Sequence, residues 1–473
     1  MINRFFWSAV EILFTRVFQL IVTIFLARIL SPNDFGIIAI IMMAVSLSQV
    51  VVDGGISSAL IRKNTPTDEE FSTAFIINIV MSILLYVLIF LLSPYISGFY
   101  QNPLLTDAIR ICSVILIVNA FAFIPRVIFT IRMDYLSLGK SSIVSSTISG
   151  SIAIYLANND WQYWALVSQV VTGALLNALI LNLICKKRIN ISFNLEVARE
   201  LFKYGYKILL SGLLEVLFKN IYIIILGKIG SSKAVGYFSQ SDRLSLLPII
   251  SITQIFQRVN FQIMVKVQND VFELSNVYRI SYNLFVVIFV PICVYMASYS
   301  DDLISLLLGQ QWNEISLIFS IMIISYIFLP LGSVPLNILK AIGRSDIFLK
   351  TEIKKKVVIL VMILPFVSFG ITGLSLSMLF SSVVSLFISI NAVNKFVNIR
   401  RANLLMFTLF VFVVSITTVA LFKTFIFSSF SSLTMLLGGF IIFIVLYAFI
   451  VTIIFKKSIF EIVKFYSSFK INI

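Results

Sequence analysis

The sequence predicts an all-α polytopic membrane protein with about fourteen transmembrane helices. Three observations predict it. Of the 473 residues, 59% are hydrophobic and only 12% are charged, and the mean hydropathy is +1.04. Much of any folded chain's surface faces its solvent, so a water-soluble globule has nowhere to hide that much apolar surface. The apolar residues also fall in repeated long runs, whereas barrel strands are about ten residues long and alternate in polarity. A soluble domain, a disordered chain and a collagen-like fibre are excluded together.

About 20 apolar residues cross a bilayer as a helix. By that ruler the spans are 9–29, 35–61, 71–92, 108–130, 138–157 and 163–185, then 205–226, 244–265, 281–299, 315–339, 357–369 and 374–393, and last 404–422 and 434–455. The first run contains Glu11 and Arg16 and no small-residue cleavage site follows it, so it reads as a retained span rather than a leader. Between the sixth and seventh runs, Leu195, Val197, Ala198, Leu201 and Phe202 alternate with Glu196, Arg199, Glu200 and Lys203. That pattern reads as an amphipathic helix lying on the inner membrane surface. Near-span Pro125, Pro248, Pro291, Pro330, Pro335 and Pro365 are candidate kinks.

The net charge is +15, from 36 Lys plus Arg against 21 Asp plus Glu. In a membrane chain such an excess belongs to basic cytoplasmic loops rather than to a nucleic-acid site. Placing both termini in the cytoplasm puts the clusters Lys186-Lys187-Arg188 and Lys354-Lys355-Lys356 inside, and leaves the acidic Asp301-Asp302 pair outside. With no His, and with Cys112, Cys185 and Cys293 far apart, no metal site or disulfide framework is expected. No GxxxxGK[ST] loop is present, so ATP hydrolysis is not expected, and with no other residues that carry chemistry the chain is read as no enzyme, with no cofactor.

An internal repeat divides the chain. Phe25-Leu26-Ala27-Arg28-Ile29-Leu30-Ser31 with Gly36 matches Ile225-Leu226-Gly227-Lys228-Ile229-Gly230-Ser231 with Gly236, at an offset of 200. Ser46, Gln49, Asp53 and Ser57 share their spacing with Ser251, Gln254, Arg258 and Gln262. The expected organisation is an N-terminal lobe at 1–190, an amphipathic linker at 191–203, a C-terminal lobe at 204–394, and two further helices with a tail at 395–473. An even number of spans per copy makes the repeats parallel, related by an axis along the membrane normal.

A charge at mid-bilayer costs at least about 2.5–3.5 kcal/mol, so it faces protein or a water-filled cavity. Polar stripes run along the first two spans of each half. Glu11, Arg16 and Gln19 share one arc of the first, and Gln49 and Asp53 one of the second; Lys207, Ser211, Glu215 and Lys219 recur every four residues in the seventh, and the eighth carries Arg243 and Arg258. One wet, charged cavity explains them together; static polar contacts between helices are the other reading.

Several segments resemble the polysaccharide-transporter branch of the multidrug/oligosaccharidyl-lipid/polysaccharide exporter superfamily, the Wzx-type flippases. They are Leu26 to Gly36, Val52 to Ile61, Phe99-Tyr100 with Pro103, Pro125-Arg126, Phe202 to Gly205, and Leu306 to Trp312. The likeness fades beyond about Ile342. This chain has Asn220-Ile221-Tyr222 where the family often has Asn-x-Asp, so an acidic role does not carry over to Tyr222. The resemblance implies two six-helix lobes around a central cavity plus two peripheral helices. It implies transport of an undecaprenyl-pyrophosphate-linked oligosaccharide between leaflets of a bacterial inner membrane. Membrane lipid, a glycan polymerase and a chain-length regulator are the implied partners.

A pyrophosphate needs cations in an apolar place, and Arg offers a rigid bidentate fork. The substrate-binding candidates are Arg16, Arg126, Lys219, Arg243 and Arg258. Coupling to a proton or Na⁺ gradient would fall to Asp53, Glu11 and Glu215, the carboxylates deep in the spans. The competing functions are a peptidoglycan-precursor flippase, a multidrug/cation antiporter of the same fold, and a membrane glycan polymerase or ligase.

Overall fold

Among the described residues of the computed structural model, 18–63, 65–186, 192–425 and 438–448, every regular element is helical. Nine helical stretches among them are long and apolar enough to cross a membrane. The chain forms two compact units, Met1–Ser239 and Gln240–Ile473.

The first unit contains α1 (Phe18–Ile29), α2 (Pro32–Asp53), α3 (Ile56–Arg62), α4 (Asp68–Phe99), α5 (Leu105–Ile131), α6 (Tyr135–Asn158), α7 (Tyr163–Cys185) and α8 (Leu195–Ile229). Its helices start where the sequence provides caps. Ser31 and Asp34 form a capping box ahead of Pro32 at the start of α2, and Thr67 and Glu70 form another at α4. Asp134 caps α6, and Asn194 accepts from the amides of Glu196 and Val197 at α8. α4 exposes Leu84, Leu88 and Leu91, the apolar face a helix turns to lipid. Along α6 the buried face is small: Ser141, Ser145, Ser149, Gly150 and Ala153. Small residues let neighbouring helix backbones approach closely in a membrane; here Ser149 lies against Gly173 of α7 and Gly150 against Val22 of α1.

Two departures from the sequence reading matter. The expected span at 35–61 is interrupted. Gly54 and Gly55 both have positive φ, +55° and +74°, which ends α2 and starts α3 in a new direction. Gly205 of α8 fills the notch: a Cβ on Gly205 would stand 2.3 Å from the Gly54 carbonyl oxygen, and one on Gly55 would stand 2.5 Å from that of Gly205. Second, the amphipathic segment is no separate surface helix. It forms the first turns of α8, which continues unbroken to Ile229. Part of its apolar face is occupied, with Ala198 and Leu201 buried in a cluster with Ile56, Ala59, Leu60 and Phe71, while Leu195 and Phe202 stay exposed.

Glycines guide α8 along the rest of α2. Gly212 lies against Val50 and Gly227 against Ile40 and Tyr100, so the two helices run antiparallel. Past Ile229, α9 (Ser232–Lys266) begins, and its first residues still belong to the first unit. There a Cβ on Gly36 would fall 1.6 Å from the Ser232 carbonyl oxygen, and one on Gly236 1.9 Å from that of Pro32.

The second unit holds the remainder of α9, then α10 (Val271–Ser298), α11 (Ser300–Leu308), a 3₁₀ turn at Gln310–Ile315, α12 (Ser316–Ala341), α13 (Ser345–Phe366), α14 (Gly370–Val393), α15 (Arg401–Phe425) and α16 (Gly438–Ala448). The acidic Asp301-Asp302 pair, expected in a short loop, lies in the first turn of α11, where a helix N-terminus favours acidic side chains. The following 3₁₀ turn seats Trp312 in the core. α12 packs on α10 and α14. Tyr282 of α10 meets Thr408 of α15 at 3.0 Å, and Tyr447 of α16 donates to the Val287 carbonyl at 3.0 Å. All six prolines singled out from the sequence lie inside helices, as does Pro94.

Candidate functional site

Polar side chains of the first unit form two hydrogen-bonded groups, one between α2 and α5 and one across α5, α7 and α6. Asn119 of α5 donates to Gln49 of α2 at 2.9 Å. About one turn further along α2 comes Asp53, and about two turns further along α5 comes Arg126. Arg126 and Asp53 attract each other, and the Arg126 guanidinium reaches Asn177 of α7 at 3.4 Å. Asn177 in turn donates to Ser141 of α6 at 3.3 Å. Asn78 of α4 donates to the Val52 carbonyl at 3.1 Å and fixes the end of α2 from behind.

The carboxylate of Asp53 already has local work. It accepts from the Gly55 amide at 3.2 Å and from the Ser57 hydroxyl at 3.0 Å, closing the turn between α2 and α3. Arg126 differs. It is an exposed residue on a helix whose neighbours Ile124, Pro125 and Val127 are buried. An exposed guanidinium within an apolar helix requires water or polar groups on that side, because lipid would charge it several kcal/mol. One weak contact to Asn177 leaves most of its donors uncommitted among the described residues. Arg126 thus presents a largely uncommitted guanidinium beside the Asn177 amide.

The remaining candidates distribute as follows. Lys207, Ser211, Glu215 and Lys219 all stand exposed on α8, and the i, i+4 pairing of Glu215 with Lys219 is not made among the described residues. By the same cost argument this stripe marks a wet side of α8. None of its members joins the hydrogen-bonded network around Arg126. Arg243 lies on α9 in the second unit and is exposed, beside Asp242, which accepts from the Tyr326 hydroxyl. Arg258 is in the α9 helix, with its side chain outside the described residues, and Glu11 and Arg16 lie outside them altogether. Sequence reasoning missed Asn119, Asn177 and Ser141. The signal was present as lone amides in apolar runs, where an unpaired amide is costly and so finds a partner.

At the Arg62 end of α3 a second polar cluster ties three helices. Lys63 bridges Glu70 of α4 and Glu200 of α8, the latter at 2.8 Å. The two carboxylates, Glu200 first, push the Lys63 ammonium above its usual range.

Comparison with known proteins places the chain. Residues 25–317, more than half of it, match the family described as polysaccharide biosynthesis protein. The chain belongs to this family. Similar curated proteins are the teichuronic acid biosynthesis protein TuaB of Bacillus subtilis (strain 168), 25% identical over 72% of this chain and 71% of that protein, and the lipopolysaccharide biosynthesis protein WzxC of Escherichia coli (strain K12), 22% identical over 74% and 71%. Among solved structures, the lipid II flippase MurJ in an inward closed conformation is similar over 96% of this chain and all of that one, with a TM-score of 0.77 and 14% identity. An inward-facing multidrug resistance MATE family transporter matches over 87% of this chain and 96% of its own, with a TM-score of 0.63 and 14% identity. These likenesses concern the fold. The chain is a multi-pass membrane protein of this polysaccharide family with the helical architecture that such transporters share.

Proposed function

We propose that this protein is a flippase. It moves a polyprenyl-pyrophosphate-linked oligosaccharide, an O-antigen or exopolysaccharide repeat unit, from the cytoplasmic to the outer leaflet of a bacterial inner membrane by alternating access. Both termini are cytoplasmic in this reading, from the bias of basic residues. The observation that carries it is the exposed, sparsely bonded Arg126 guanidinium beside the Asn177 amide within an apolar bundle. A lipid pyrophosphate demands this combination of a rigid cationic fork and hydrogen-bonding neighbours. Family membership and the flippase-like fold support the reading.

The lobes 1–190 and 204–394 are the moving bodies in this proposal, and Arg16, Lys219, Arg243 and Arg258 are further phosphate contacts. The long lipid tail stays in the bilayer, so only the polar head enters the cavity. Coupling to a proton or Na⁺ gradient rests with Asp53, Glu11 and Glu215. A glycan polymerase and a chain-length regulator are the proposed partners. The test is surface glycan in a deletion strain complemented by Arg126→Ala, by Arg126→Lys and by the lipid-facing control Leu84→Ala, with expression checked. Full glycan from Arg126→Ala would sink the reading of this site.

A further inference from the structure

A hollow of about 470 Å³ opens in the first unit between the end of α3 and the first turns of α8; Arg62, Lys63, Lys203 and Tyr204 line it, and so does one carboxylate, Glu200, whose charge is met by Lys63 at 2.8 Å. We propose that it binds the phosphate of an anionic membrane lipid, held by Arg62 and Lys203. The proposal stands independently of the transport reading, because nothing in it concerns the glycan.

The charges are the first argument. Lys63 is committed to Glu70 and Glu200. Arg62 is not: it lies over the Tyr204 ring at 4.8 Å, and no carboxylate pairs with it among the described residues. Lys203 is exposed and likewise has no ion-pair partner among them. Two free cations therefore share one concave site, and stacking on Tyr204 orients the planar fork of Arg62 as bidentate phosphate contact requires. A hollow in the second unit, lined by Arg344, Lys395 and Phe396 among others, makes the contrast. There Asp346 already holds Arg344 through two contacts of 3.0 Å.

The level of the site is the second argument. α3 ends at Arg62, the apolar stretch of α4 begins at Phe71, and the dense charges of the first turns of α8 thin out beyond Lys207, with Glu215 and Lys219 further along. All three elements thus lose most of their charge close to the hollow, the kind of boundary where lipid phosphates lie. Beside it α8 exposes Phe202 and Tyr206, large rings suited to the boundary between headgroups and chains. A basic pocket between helices at that height is the kind of site that recognises an anionic headgroup.

The experiment titrates the purified full chain in detergent with phosphatidylglycerol, phosphatidylcholine or inorganic pyrophosphate. It reads retained lipid by native mass spectrometry and the melting temperature by intrinsic fluorescence. Phosphatidylglycerol should be retained and should raise the melting temperature, while phosphatidylcholine does neither. Each removed charge-assisted contact should weaken retention roughly tenfold or more, so Arg62→Ala with Lys203→Ala should lose selectivity, and Arg62→Lys should keep part of it. Arg62→Gln with Lys203→Gln repeats the loss with side-chain bulk preserved, and an unchanged lipid-free melting temperature shows that the variants fold. Equal retention of phosphatidylcholine, or full selectivity in the double variants, overturns the proposal. Stabilisation by pyrophosphate matching that by phosphatidylglycerol overturns it too, since the ligand would then be a free phosphate rather than a lipid.

Discussion

Gly36 and Gly236 face each other in the first unit, and the contact is reciprocal. Gly36 abuts the carbonyl of Ser232, while Gly236 abuts the carbonyl of Pro32, the residue that the offset of 200 pairs with Ser232. Residue i meeting j while j's counterpart meets i's is the signature of a two-fold axis.

That contact yields the first prediction. Gly36→Ala or Gly236→Ala places a Cβ under 2 Å from a backbone oxygen that no rotamer change can move away. Either should lower stability by about 1–3 kcal/mol, the usual range for overpacking. Gly98→Ala is the control. Nothing lies within 4 Å of its Cβ position and it sits inside α4, so it should be neutral or slightly stabilising. Melting temperatures of the three variants decide the matter.

At the interrupted helix, Gly55→Ala meets both a left-handed backbone and the Gly205 carbonyl. The strained φ alone costs roughly 1–2 kcal/mol, and the clash adds to it. A Gly55→Ala protein as stable as the original would show that α2 and α3 can join into one straight helix. Fluorescence melting in the same detergent makes the comparison.

For Arg126, alanine should cost a charge-assisted contact of about 1.5–3 kcal/mol, or roughly ten- to hundredfold in substrate affinity. Lysine should recover only part, lacking the planar fork. Asp53→Asn should leave the Gly55 contact in place, since an amide oxygen still accepts. If Asp53 couples an ion, this variant loses the pH or Na⁺ dependence of glycan export. If its role is to hold the turn, export persists with its ion dependence intact and the melting temperature changes little.

The Lys63 cluster has a defined pH signature. Its ammonium titrates above the ordinary 10.5 in the folded chain, held there first by Glu200 and then by Glu70. Its stabilisation is therefore complete below about pH 10.5 and is lost as pH rises through the higher folded value. Glu200 is largely exposed, so the gain is about 0.2–1 kcal/mol. Lys63→Met should remove the alkaline loss between the two values, measured as melting temperature against pH.

Most helices were legible because their long apolar runs carry their own signal, as in α4, α5 and α12. The break at Gly54-Gly55 was not, because the apolar run continues through it to Ile61 and hydropathy is blind to φ. The union of residues 195–204 with α8 was missed for a related reason: a change of polarity along a helix looks like a boundary in the sequence. At the site, Asp53 and Arg126 were readable because a charge in an apolar run stands out. Asn119 and Asn177 were harder, since an amide is informative only once its partner across the bundle is known. Spacing alone would pair Glu215 with Lys219 at i, i+4, but spacing does not supply the rotamers, and the pair is not made among the described residues.

The serines of α6 have a mechanical consequence. Ser141, Ser145 and Ser149 each donate to a carbonyl three residues back on their own helix, those of Leu138, Ser142 and Ser146. Their hydrogen-bonding capacity is spent internally, so the small face turned to α7 is a smooth bearing with no directional bonds to break along most of its length. The exception is the 3.3 Å contact from Asn177 to Ser141. It acts as a pivot pin at one end, and a swing of α6 against α7 about that point strains one long hydrogen bond, the same one that steadies the partner of Arg126.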